Sequence, residues 1–248
     1  TKQGTGTWTL TNTNNFTGTT QVNGGTLLIG TGGSLAAASA VTVGGASATD
    51  APTLGGTGTV NGAVTVATAG GGAAGTLAPG GGTGPGTLTV NNAVTVQSGG
   101  TLKWEINAGT PTGVPFPTVP ADGSSDTGPT NQDLLAVTGG TNTLTMQSGS
   151  VLAITQIGAV TLNSTSNYSF TVATTAGSPS LTGVTISTAN AADFAAYVSA
   201  GGTLGLTASG NNIYLTATGV VPEPATVGLI AAAGLGLGGL VRRRVRKG

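Results

Sequence analysis

Histidine and cysteine are both absent from this 248-residue chain. Without an imidazole or a thiol, the usual Ser-His and Cys-His nucleophilic pairs and His/Cys zinc sites cannot be assembled. No disulfide can staple the fold, so stability must come from packing and backbone hydrogen bonds. Charged residues make up only 6% of the chain and aromatics 4%, too few for a charge network or large aromatic anchors. No P-loop lysine or dinucleotide fingerprint is present, and Gly56-Thr57-Gly58 belongs to a Gly-rich turn. Neither a cofactor nor a resident metal is expected.

The formal net charge is zero, but the charges are segregated. Lys2 and Lys103 are the only cations before Val220. They face Asp50, Glu105, Asp122, Asp126, Asp133 and Asp193. That part is about four units negative, which excludes nucleic acid as a partner. The other cations are Arg242, Arg243, Arg244, Arg246 and Lys247. Asp122, Asp126 and Asp133 could offer oxygen to Ca²⁺, but their spacing matches no EF-hand or nonapeptide calcium repeat, so a solvated loop is expected.

The C-terminus has three parts in order. Val221-Pro222-Glu223-Pro224 comes first, then an uncharged stretch from Ala225 to Val241, then the cationic cluster. At about 1.5 Å per residue the uncharged stretch makes a helix of roughly 25 Å, near the lower limit for a bilayer. The cations behind it form a cytoplasmic stop, which places everything before Val221 outside the cytoplasm. The expectation is a single transmembrane helix over 225–241. With Thr1 leading the sequence and no N-terminal signal visible, the export this demands suggests the C-terminal part of a longer precursor.

Residues 1–219 read as one all-β domain of short strands. A corner module recurs at Val22-Asn23-Gly24-Gly25-Thr26-Leu27, at Val96 to Leu102, at Met146 to Leu152 and at Val198 to Leu204. After the corners, apolar residues alternate with polar ones, as in Leu102, Trp104 and Ile106 against Lys103 and Glu105. Either antiparallel hairpins in a sandwich or stacked coils could use this pattern. Short strands with small aliphatic inward positions favour coils, that is, a parallel β-helix. Residues 107–133, with Pro111, Pro115, Pro117, Pro120 and Pro129, break the rhythm and predict an exposed loop. Asn190 is a candidate cap for one short helix, and Asn212 to Thr218 should close the domain. Trp8, Phe16, Trp104 and Tyr214 could stack on sugars, but their strand positions point to core or rung-edge packing.

Two stretches carry family resemblances. Pro222-Glu223-Pro224, the apolar run and the arginine cluster resemble the PEP-CTERM sorting signal of Gram-negative bacteria. The resemblance implies processing by an exosortase, a membrane-embedded Cys peptidase. An inner-membrane-anchored precursor would be cut near the motif and passed to the cell surface or an extracellular matrix. Gly4 to Leu10, Asn14 to Val22 and Gly24 to Leu27 resemble the autotransporter-associated β-strand repeat. This implies a right-handed parallel β-helix passenger, here without the outer-membrane barrel. Taken together, the expected domains are a solenoid over 1–219 and a sorting signal over 220–248. The expected protein is a non-enzymatic surface or matrix protein, structural or adhesive. Its partners would be an exosortase, transiently the inner membrane, and extracellular polysaccharide. The alternative is a β-helix lyase or hydrolase acting on that polysaccharide.

Overall fold

A computed structural model describes residues 1–67, 72–82, 84–107 and 131–220. The chain winds through three sheets in constant order, one strand in each per coil. The first coil is β1 (Thr7–Leu10), β2 (Thr13–Asn14) and β3 (Thr20–Val22). The second is β4 (Gly24–Ile29), β5 (Ser34–Leu35) and β6 (Val41–Gly45). The third is β7 (Asp50–Gly56), β8 (Thr59–Val60) and β9 (Val64–Val66). A short β10 (Ala73–Ala74) pairs antiparallel with β6 and precedes the fourth coil, β11 (Thr76–Pro79), β12 (Thr87–Val90) and β13 (Val94–Val96). The fifth holds β14 (Thr101–Ile106), β15 (Leu134–Val137) and β16 (Leu144–Met146). The sixth holds β17 (Val151–Gln156), β18 (Tyr168–Thr175) and β19 (Ser180–Leu181). Between neighbouring coils the strand pairing is parallel, as a β-solenoid requires.

Register stacks like on like. One inward column runs Trp8, Leu27, Leu54, Leu77, Leu102, Leu152 and Ile186. A second runs Val22, Val43, Val66, Val96, Met146 and Leu181. On the outer face of that sheet Thr42, Thr65, Thr95 and Thr145 form a half-buried ladder. Because side chains alternate along a strand, the Val-Thr-Val pattern is enough to put valine inside and threonine outside. Column packing suits Val, Leu and Ile, whose branched side chains fill a narrow interior coil by coil. At one corner Asn91 Nδ2 donates to Asn61 Oδ1 at 2.7 Å, and Asn61 Nδ2 to Leu35 O at 2.7 Å, so a polar ladder ties successive turns.

The corner at Gly25 explains the repeated Gly. Its φ is +60°, and a Cβ there would overlap the Gly4 and Gly6 carbonyl oxygens of the preceding coil. The module at Val198–Leu204 does something else. Val198 lies in α1 (Ala192–Ser199), and Gly201, at φ +97°, ends that helix with its N–H on Val198 O. A glycine in the left-handed region serves a coil corner and a helix end equally well, so the same letters give two structures. Asn190 is not the helix cap. It ends β20 (Thr185–Asn190), and Ala191 holds the cap position without a side-chain bond. The helix start is fixed instead by Asp193, whose Oδ2 accepts from Gln156 Nε2 at 2.6 Å and Val160 N at 2.7 Å.

The far end departs from the coil plan. After α1 the chain makes an antiparallel hairpin, β21 (Thr203–Ser209) and β22 (Asn212–Thr218), and β22 also pairs antiparallel with β18. Phe194 and Tyr197 of α1 are buried. They join Tyr168, Phe170 and Trp104 in a chain of ring contacts, with centroids 5.6 Å apart for Phe170–Phe194 and 5.7 Å for Trp104–Phe170. Large rings thus close the core where the aliphatic columns run out. Trp104 and Tyr214 are buried as expected, whereas Trp8 and Phe16 are 54% and 46% exposed. Among the described residues no helix is long and apolar enough to cross a membrane. The stretch 225–241 lies outside them.

Candidate functional site

The last described residues, up to Val220, are held firmly by the solenoid. β22 is paired on both sides up to Ala217, with Tyr168 and Leu204. Beyond it the Gly219 N–H donates to Asn167 Oδ1 at 2.8 Å, and the Val220 N–H to Ser164 O at 2.7 Å. The acceptors sit on a turn that is itself held firmly. Asn163 O accepts from Ser166 N at 2.9 Å, and Asn163 Oδ1 from Thr165 N at 3.0 Å and Thr165 Oγ1 at 2.9 Å. The Tyr197 hydroxyl donates to Ser166 O at 2.8 Å. Burial, with the neighbouring Tyr168 behind it, pushes the Tyr197 phenol above its usual pKa, so it stays a donor. A Cβ on Gly219 would lie 2.7 Å from Ser164 O and Ser166 N, so the turn leaves no room for a side chain.

The opposite end presents the strands of the first coil. Trp8 and Phe16 line a cavity of about 310 Å³ with Leu10, Leu27 and Lys2. Lys2 is buried, and its ammonium is fully used: Nζ donates to Gln3 O at 3.0 Å, Gly4 O at 2.8 Å and Gly24 O at 2.8 Å. It also lies 5.7 Å from the Trp8 ring centroid. Lys2 therefore sews the first coil to the second and is not free to meet a ligand.

Comparison with known families decides what the exit is for. The chain carries a PEP-CTERM protein-sorting motif. The match covers residues 220–247. It starts on Val220, whose N–H is bonded to Ser164 O of the solenoid. A second family, the Passenger-associated-transport-repeat, matches residues 1–29, which take in the first coil and β4. No curated protein matches the chain. The PEP-CTERM motif implies processing by an exosortase, and an exported, membrane-processed, cell-surface protein. The residues of that motif singled out from sequence, Val221, Pro222, Glu223 and Pro224, lie outside the described residues, as do Arg242, Arg243, Arg244, Arg246 and Lys247.

Upstream of the PEP-CTERM motif, the carboxylates behave differently from a solvated loop. Asp122 and Asp126 lie outside the described residues, but Asp133 is 0% exposed. Its Oδ1 accepts from Gly86 N and its Oδ2 from Glu105 N, both at 2.9 Å. Burial pushes its pKa up to about 8. The two backbone donors and Lys103 oppose the shift, and the Glu105 charge adds to it. Glu105 is also buried, at 1% exposure, with Oε1 on Lys103 Nζ at 2.6 Å. The turn at Gly80–Gly82 packs over this pair: a Cβ on Gly82 would come within 3.4 Å of Lys103 Nζ. The described ends of the proline-rich stretch are equally fixed. Ile106 bridges Gln132, and Asn107 N donates to Asn131 O at 2.7 Å. The expected loop boundaries of 107 and 133 therefore fall on ordered, paired backbone.

Proposed function

We propose that the chain is a non-enzymatic, exported surface or extracellular-matrix protein with a structural or adhesive role. The single observation that carries this is a PEP-CTERM match that begins at Val220, a residue bonded to the β-solenoid. A stacked-coil domain offers a long, repetitive, mostly uncharged face, and the motif supplies export and surface delivery. In this reading the solenoid winds right-handed, as parallel crossovers do. Residues 225–241 form the transient inner-membrane helix, and the arginine cluster from Arg242 is its cytoplasmic stop. The exosortase cuts near Pro222-Glu223-Pro224, and the released solenoid associates with extracellular polysaccharide at the surface of a Gram-negative cell.

The carboxylate geometry supports a structural rather than a catalytic role. Glycoside hydrolysis needs two carboxyl groups facing each other across an accessible space. Asp133 spends both oxygens on backbone N–H groups, and Glu105 is covered and paired with Lys103. The test is to fractionate cells with and without the exosortase and to sequence the mature C-terminus by mass spectrometry. The expected result is a shortened chain in the surface fraction only when the peptidase is present. An intact C-terminal peptide in exosortase-bearing cells would sink the sorting reading. Turnover of acidic or neutral glycans by the purified solenoid would replace the structural role with an enzymatic one.

A further inference from the structure

The geometry points to the seat of Gly219 and Val220 as the positional stop for processing: the folded end of the solenoid fixes the cut C-terminal to Val220 and slows it. This rests on the sorting reading and goes beyond it by assigning a role to the solenoid's own residues.

A peptidase holds its substrate extended over several residues on both sides of the bond it breaks. The bond broken is a backbone amide. Its acyl group passes to the peptidase's nucleophile and then to water, and the departing nitrogen takes up a proton. On the upstream side of the motif, extended substrate is not on offer. Ala217 and Thr218 are locked in a strand with neighbours, Ala217 on both edges. Gly219 is wedged against the 164–166 backbone, and the Val220 N–H is bonded to Ser164 O. The Val220 side chain is pressed toward Gly201, where a Cβ would come within 2.9 Å of its Cγ2. Upstream subsites are thus filled by folded protein rather than by free chain.

Distance tightens the constraint. Only residues 221–224 separate Val220 from Ala225, where the uncharged stretch begins. Fully extended, the steps from Val220 to Ala225 reach at most about 17 Å. The headgroup layer on one side of a bilayer takes up roughly 5–7 Å of that. The remaining gap of about 10 Å is no more than the thickness of one helix. Any peptidase segment that reaches the motif therefore works directly against the turn at Asn163–Asn167.

The test follows precursor conversion by pulse–chase in exosortase-bearing cells producing the full chain behind an export signal. Wild type is compared with Asn167→Ala, with a flexible Gly-Ser insertion between Val220 and Val221, and with Glu223→Ala as the motif control. Removing the Asn167 acceptor should raise the frayed population, and with it the conversion rate, about five-fold. The insertion, which leaves every solenoid contact in place, should speed conversion at least as much. Mass spectrometry should place the wild-type terminus between Val220 and Ala225. Conversion of wild type at that position, with faster conversion of the insertion variant, would support the stop. Equal rates for wild type and insertion, or a wild-type terminus within Asn212–Thr218, would overturn it. If no variant is converted, the sorting reading fails and takes this inference with it. Conversion of wild type at an unchanged rate in the insertion would remove the stop alone.

Discussion

The indole N–H of Trp104 donates to the main-chain oxygen of Asp133 at 2.9 Å. This bond ties β14 to the residue that leads into β15, across the intervening residues 107–132 of the sequence. It runs parallel to the Asp133 carboxyl bond to Glu105 N and the Asp133 N bond to Glu105 O, both directed back at the same strand. The fifth coil is therefore closed here by backbone and side-chain bonds acting together.

Trp104→Phe keeps one aromatic ring and removes the N–H donor together with part of the buried indole. A loss of about 1–2 kcal/mol is expected, because the Asp133 carbonyl is left without its partner in a buried place. Trp104→Ala also empties the site beside Phe170 and should cost about 3–5 kcal/mol. Urea unfolding of the two variants compares partial loss of the indole with loss of the whole ring.

Asp133 makes stability depend on pH. Its folded pKa of about 8 lies above the ordinary carboxyl value of 3.8, so the folded state holds the proton more tightly than the unfolded chain. The contribution is complete below pH 3.8 and disappears as pH rises through about 8. Melting temperature should therefore fall between pH 5 and pH 9. Asp133→Asn should flatten that slope, while losing about 1–3 kcal/mol because an amide cannot accept from both Gly86 and Glu105. A melting curve for wild type that rises with pH across this window would contradict the assignment.

Within one strand pair, inside and outside should differ sharply. Leu102→Ala opens a gap in a column flanked by Leu77 and Leu152 and should cost about 2–5 kcal/mol. Thr95→Ala, on the outer ladder, should stay within about 0.5 kcal/mol. Thermal denaturation followed by circular dichroism is sufficient to tell them apart.

Gly25→Ala puts a side chain into the Gly4 and Gly6 carbonyl oxygens at a φ that alanine resists, so a loss of about 1–3 kcal/mol is expected. Coils touch mainly their neighbours, so the damage should be local. Hydrogen exchange ought to accelerate in β1 to β4 and stay unchanged in β14 to β18.

Much of the coil was legible because Val-Thr-Val and Thr-Leu repeats fix both the inward face and the pairing register. Thr26, Thr53, Thr76 and Thr101 stack as their sequence contexts suggest. The end of the stack was less legible. Val198 to Leu204 imitates a corner, and only the helix on its N-terminal side turns it into a helix end. Asp133 and Glu105 look like solvent-facing acids by spacing. Their burial depends on Gly80–Gly82 and Gly86 arriving from another coil, a contact that no local pattern encodes. Lys2 misleads in the same way, since its three carbonyl partners include Gly24 in the next coil. At the exit, the motif was readable, but the acceptors that hold Gly219 and Val220 lie far upstream in sequence.

The Asn107–Asn131 hydrogen bond and the Ile106–Gln132 bridge bring the two ends of the intervening segment side by side on the wall of the stack. Closing a chain whose ends are already adjacent costs little more entropy when it is lengthened. Foreign sequence spliced between 107 and 131 would hang from a neck that the solenoid itself holds shut, which makes this the natural place to mount cargo for display on the cell exterior.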